Sequence, residues 1–133
     1  MNSPIEGGCL CGGVRYRLHA EPADVSDCHC IDCRRASGAP YVTWGTVRKE
    51  DIELLSGELR KVLYAERLRS FAACCGTPLF FQDNDPSAPI DVTIASLDHP
   101  ESYSPAVAIW TEDRLPWAVL DPALPTHRQG RET

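Results

Sequence analysis

Cys28-His29-Cys30-Ile31-Asp32-Cys33 places three thiols in six residues. It combines C-x-C with C-x-x-C spacing. A C-x-x-C turn brings two sulfurs, those of Cys30 and Cys33, toward one cation, and amides in the turn stabilise the thiolates. Cys28 reaches in from the end of a preceding strand. Zinc binds thiolates at about 2.3 Å in tetrahedral geometry. Three protein ligands with an open fourth position mark a catalytic metal site, whereas a structural site is normally closed. His29 stands between two ligand candidates. Neighbouring side chains diverge, so it is expected to pack or hydrogen-bond beside the metal instead of binding it. The bland alternative, three buried inert thiols, fits such dense spacing poorly.

Cysteines recur on both sides. Cys9-Leu10-Cys11-Gly12-Gly13 precedes the central stretch, and Cys74-Cys75-Gly76 follows far along the chain. A pair from each region can close a tetrathiolate site and pin the two regions together. Glycine after each knuckle permits a tight turn with positive φ. The first knuckle is well formed, but the adjacent Cys74 and Cys75 chelate one ion less readily than C-x-x-C. A dithiol redox pair and an ordinary packed Cys74 are the competing readings.

Between the cysteines, short apolar or alternating segments recur: Val14–Leu18, Tyr41–Thr46, Ile52–Leu55, Lys61–Tyr64, Pro78–Gln82, Ile90–Ala95 and Ala106–Trp110. Gly, Pro, Asp, Asn or Ser bounds each, as strands require. Val, Ile, Tyr, Phe and Trp dominate them, which suits a pleated, half-buried surface. No long helical period appears; Asp32–Ser37 reads as one helical turn after the knuckle. Pro122–Thr133 reads as an irregular, partly frayed tail. With no linker or repeat, residues 1–133 are expected to form one mainly β domain of several small antiparallel sheets around cysteine knuckles. Trp44, Trp110 and Trp117 are expected in the core or in a pocket wall.

The 133 residues carry a formal net charge of −6. An acidic chain is repelled by phosphate backbones, which argues against nucleic acid as a partner. Arg34 and Arg35 follow Cys33 directly. They are ordinarily surface charges, but beside a metal they are candidates to hold a carboxylate. No basic region followed by an apolar stretch opens the chain, and no apolar run approaches the ~20 residues that span a bilayer. A cytoplasmic location is expected. Disulfides are rare there, so seven cysteines point to metal or redox chemistry.

Taken together, these motifs resemble the glutathione-dependent formaldehyde-activating enzymes, whose domain is shared with centromere protein V. The matching residues are Gly8 to Tyr16, Cys28 to Pro40, Arg69-Ser70-Phe71 and Cys75-Gly76-Thr77-Pro78-Leu79, about residues 5–115 in the family's order and spacing. The resemblance implies a fold like the Rab-associated zinc proteins. It implies a catalytic-type zinc on Cys28, Cys30 and Cys33. It also implies a structural zinc on Cys9, Cys11, Cys75 and one more cysteine. That last ligand normally stands three places before Cys75, where this chain has Ala72; Cys74 is the candidate substitute, or the second zinc is weakened. The implied activity is joining formaldehyde to glutathione to give S-(hydroxymethyl)glutathione, a carbon–sulfur lyase reaction.

The leading expectation is therefore a zinc-dependent carbon–sulfur lyase that adds a glutathione-like thiol to a small aldehyde. The alternative is a non-enzymatic, zinc-stabilised binding module, which a closed metal site would favour.

Overall fold

The structure, a computed structural model, describes residues 4–131. Its elements run β1 (Ile5–Gly8), β2 (Arg15–Leu18), β3 (Ala23–Cys28), α1 (Ile31–Ser37), β4 (Val42–Val47), β5 (Ile52–Ser56), β6 (Leu59–Tyr64), β7 (Arg67–Ala72), β8 (Pro78–Asp83), β9 (Ile90–Thr93) and β10 (Val107–Ile109). The strands form a three-stranded sheet in the order β1-β2-β5 and a seven-stranded sheet in the order β10-β3-β4-β9-β8-β7-β6. Every pairing is antiparallel except β10 with β3. The protein is mainly β, as the short punctuated segments require.

Alternation along the strands builds the core. In β2, Tyr16 and Leu18 are buried while Arg15 and Arg17 face outward. Tyr16 and Leu18 pack with Val47, Leu79, Phe80 and Val92 of the large sheet. The two sheets therefore share one apolar cluster, and the Tyr16 and Phe80 rings meet edge to face at 5.1 Å. Tyr16 keeps its hydroxyl satisfied by Ser96 at 2.6 Å, so its burial leaves no polar atom stranded.

Two hairpin tips matter for the site. The turn between β1 and β2 carries Cys9 and Cys11, and the turn between β7 and β8 carries Cys74 and Cys75. Leu10 N–H donates to Thr77 Oγ1 at 3.0 Å and ties the tips together. Gly12 and Gly76 both have φ +81°, a left-handed conformation that a side chain would strain.

Residues 122–131 contain no helix or extended strand, as expected of a tail, but they are not loose. They run beside β10: Ala108 N–H donates to Pro125 O at 3.0 Å and His127 N–H to Ala108 O at 2.9 Å. Trp110 N–H donates to Gln129 O at 2.8 Å, and Arg131 reaches Val25 O at 3.3 Å. The tail thus supplies the outer face of β10 with hydrogen bonds an edge strand would otherwise lack. The expected last residues of that tail, 132–133, lie outside the described chain.

Candidate metal centres

β3 ends at Cys28, and the chain turns through His29 and Cys30 into α1. Cys30 is the N-cap residue, and its sulfur accepts the Cys33 N–H at 3.2 Å. A side-chain acceptor at this position satisfies one of the helix's orphan amides. The same hydrogen bond shapes the C-x-x-C turn, so the helix start and the sulfur cluster are one construction. Cys33 is the buried residue of α1, and its sulfur lies 3.5 Å from that of Cys28. All three sulfurs are within 4.8 Å of one another. Trp44 packs against them, with Val42, Phe81, Ile109 and Trp110 around the rim.

Without a cation this trio shares protons unequally. Hydrogen bonding with Cys28 and Cys30 and, to a lesser extent, with Trp44, together with the Arg69 charge, pulls the Cys33 pKa down to about 3. Cys28 is pushed far up by hydrogen bonding to Cys30 and Cys33 and by burial. Cys30 is drawn down by Cys28 but raised further by Cys33 and burial, so it too is raised. A buried, partly ionised thiol cluster of this kind releases its remaining protons when a cation binds.

His29 does not join the cluster. The residue is 1% exposed, its ring lies 4.8 Å from that of Tyr41, and its backbone N–H donates to Ile109 O at 3.0 Å. Burial holds the imidazole below its ordinary pKa, against the pull of Asp27. Nδ1 has no partner among the described residues.

The second cluster joins the two hairpin tips. The Cys9 sulfur lies 3.7 Å from Cys11 and 3.6 Å from Cys74, and Cys11 lies 3.2 Å from Cys74. Cys75 completes a set of four. Backbone amides support the sulfurs: Val14 N–H donates to Cys9 and Gly13 N–H to Cys11. The Val14 amide holds Cys9 below its usual pKa. The Thr77 hydroxyl, helped by backbone amides, brings Cys75 down to about 5, while Cys11 and partial desolvation push Cys74 up to about 12. A Cβ on Gly13 would sit 3.0 Å from the Cys74 sulfur, so this close approach needs glycine. The set is complete without a cysteine at position 72: Ala72 is fully buried in the main core, and the neighbouring Cys74 and Cys75 both reach the cluster.

Two cavities meet at the first cluster. The larger, of about 860 Å³, has walls of Tyr41, Val42, Trp44, Phe71 and Phe80 and touches Cys33. The other, of about 700 Å³, touches Cys28, Cys30 and Cys33 and carries charges on both signs, including Arg67, Arg69, Asp91 and Asp113. Cys33, Trp44 and Arg69 belong to both walls. The Arg69 guanidinium sits 4.6 Å over the Phe81 ring. Arg67 is engaged by Asp83 at 2.9 Å, whereas Arg69 has no ion-pair partner among the described residues. Arg34 and Arg35 line neither cavity; Arg34 Nε is buried without a partner among the described residues. Arg69 is the charged side chain common to both cavity walls among the described residues, and its one sequence signal was its place in Arg69-Ser70-Phe71. Among the described residues no helix is long and apolar enough to cross a membrane.

A family model described as glutathione-dependent formaldehyde-activating enzyme matches residues 4–113. A Schizosaccharomyces pombe protein named as an uncharacterized lyase is 31% identical over 78 residues, 57% of this chain and 56% of that protein. The match therefore spans little more than half of that relative's length. The crystal structure of a Rhodobacter sphaeroides protein is similar with a TM-score of 0.58 and 25% identity, covering 70% of this chain and 87% of that one.

Proposed function

Because the chain belongs to the glutathione-dependent formaldehyde-activating enzyme family, we propose that it is a zinc-dependent carbon–sulfur lyase of the S-(hydroxymethyl)glutathione synthase type. Residues 1–133 would act as one zinc-binding domain in the reducing cytoplasm. None of the seven cysteines is paired in a disulfide, which suits that compartment.

The sulfur sets fit zinc. Soft thiolate donors suit it, and tetrahedral bonds of about 2.3 Å place sulfurs about 3.8 Å apart. The Cys28–Cys33 separation is 3.5 Å, and those among Cys9, Cys11 and Cys74 run from 3.2 to 3.7 Å, with the Cys75 sulfur within 4.8 Å of them. Cys28, Cys30 and Cys33 would hold the reactive ion; Cys9, Cys11, Cys74 and Cys75 would close a structural one. Zinc at the first set would acidify a thiol bound to it.

The chain's own groups do the rest. The charged cavity receives a glutathione-like thiol, with Arg69 positioned to take one of its carboxylates. Phe81 beneath Arg69 fixes the guanidinium and keeps water from one face of it. Trp44, common to both cavities, walls the junction where the two substrates meet. There the thiol sulfur attacks the aldehyde carbon. A C–S bond forms, the carbonyl π pair moves to oxygen, and oxygen takes up the proton that leaves the thiol. The reverse step splits the C–S bond and returns thiol and aldehyde.

The observation that carries this reading is the position of a three-sulfur cluster at the junction of two cavities. A purely structural site is closed by four ligands, the number of sulfurs that the second cluster offers. The test is exchange spectroscopy by nuclear magnetic resonance on glutathione with labelled formaldehyde. The zinc protein should speed interconversion of free and S-hydroxymethyl glutathione, and Cys33→Ser should abolish the acceleration. Equal exchange with wild type, Cys33→Ser and no protein would favour the binding-module reading.

A further inference from the structure

We infer that the aldehyde partner carries an apolar body of several carbons, seated in the larger cavity with its carbonyl at Cys33. This rests on the thiol-addition reading above, and it narrows the substrate class away from formaldehyde.

Size is the first argument. Formaldehyde has two heavy atoms and fills roughly one or two waters' share of space, ~30–60 Å³. The cavity touching Cys33 measures about 860 Å³, the range of sites that enclose much larger ligands.

The wall chemistry is the second. Tyr41, Val42, Trp44, Phe71 and Phe80 line this cavity. Of its six hydroxyls, those of Ser37, Thr77, Thr93 and Ser96 have internal partners. Ser37 Oγ donates to Cys33 O at 2.7 Å, and Ser96 Oγ to Thr93 O at 2.8 Å. Thr93 Oγ1 donates to Ser96 Oγ at 2.8 Å, and Thr77 Oγ1 accepts from Leu10 N–H. Arg69 is the one charged side chain in the wall among the described residues. Most of what remains for a ligand to touch is carbon, with the Tyr41 and Ser70 hydroxyls as the further polar groups in the wall.

The third argument is exposure that folding does not require. Leu10 is 88%, Val62 51% and Tyr41 38% exposed, and all three line this cavity. Single exposed apolar side chains are ordinary, but three that converge on one concavity beside a reactive cluster mark a binding wall. The charged cavity on the opposite wall of Trp44 suits a zwitterionic thiol. The two walls thus divide the substrates by polarity, and Cys33, common to both, is where they meet. The chemistry is unchanged by the longer body: sulfur bonds to the carbonyl carbon and the thiol proton passes to its oxygen.

The test uses unreactive mimics. Primary carboxamides from formamide to hexanamide replace the aldehydes, and calorimetry on the zinc-loaded protein reads their affinity. Each methylene buried should tighten binding roughly fourfold. Val62→Asp puts a carboxylate at an exposed wall position and should weaken hexanamide about tenfold or more while leaving formamide unchanged. Ala95→Phe, also exposed and in the wall, should do the same by filling space. A series flat with chain length overturns the inference, as does a rise indifferent to both variants. A protein that dimerises over Leu10 and Val62 and binds no amide overturns it as well. Glutathione titrated alone separates the two readings. Binding of glutathione with a flat amide series sinks only the apolar aldehyde; loss of both sinks the enzyme reading too.

Discussion

The Cys11 and Cys74 sulfurs lie 3.2 Å apart although 63 positions separate them in the chain. They stand on the tips of two hairpins, and the shared core beneath places the tips side by side. A metal bound here would staple the small sheet to the large one, and metal that binds only the folded state adds its binding energy to stability.

Cys74→Ser should therefore remove one zinc per chain and lower Tm by roughly 5–10 °C. Ala72→Cys should add neither metal nor stability, because the four sulfurs are already present and position 72 is core. Elemental analysis and thermal melts on both variants check this. A gain in metal or Tm from Ala72→Cys would mean that Cys74 is not a ligand.

Cys30 has two tasks that one variant separates. Serine is a good N-cap, so Cys30→Ser should keep the hydrogen bond to Cys33 N–H that the sulfur now accepts. Metal-free Cys30→Ser and metal-free wild type should then melt within about 2 °C of each other. Zinc content should still fall by one per chain, since an alcohol is a poor ligand beside two thiolates. An unchanged zinc content would remove Cys30 from the site.

Arg69 should matter where Arg34 and Arg35 do not. Arg69→Gln should raise the KM for glutathione about tenfold, the loss of one charge-assisted hydrogen bond. Its effect on kcat should be smaller. Arg34→Ala and Arg35→Ala should leave KM unchanged, because neither side chain lines the cavities. Steady-state kinetics on the three variants decide it; a KM effect from Arg34→Ala alone would relocate the carboxylate site.

Away from the cysteine clusters, Arg15 grips Asp98 with two hydrogen bonds, at 2.9 and 2.5 Å. This holds the Asp98 carboxyl below its ordinary pKa. A depressed folded pKa contributes stability above the unfolded value of about 3.9 and loses it as pH falls through the folded value. The Asp98 side chain is 40% exposed, so solvent screening limits the contribution to about 1 kcal/mol or less. Asp98→Asn should cost that much at pH 7 and nothing near pH 2 by denaturant titration. An equal cost at both would assign the effect to packing.

The spacing of the cysteines made both clusters legible, because sulfur chelation is a local property of turns. The strands were legible where apolar residues alternate, as in β2, β4 and β8. β1, β3 and β7 were harder for physical reasons. β1 ends in two glycines, and β3 is polar because its first residues are exposed. In β7 the inward positions are filled by small or unremarkable side chains, Ser70 and Ala72. Arg69 stands on that strand, so its role was hidden with it. The tail was read as loose because its composition is polar and proline-containing; its order comes from backbone hydrogen bonds to β10, which any sequence can make. The cavities belong to tertiary packing and had no local signature.

On the thiol-addition reading, the Cys28–Cys30–Cys33 site keeps a position for an external sulfur. Replacing zinc with cobalt, whose visible and near-ultraviolet spectrum reports its ligands, and titrating with glutathione would detect that sulfur. The four-sulfur site at Cys9, Cys11, Cys74 and Cys75 should give a constant background. The three-sulfur site should show a saturable increase in sulfur-to-metal charge transfer as a fourth sulfur joins, weakened by Arg69→Gln. A spectrum unmoved by millimolar glutathione would mean a closed site, and a binding module in place of an enzyme.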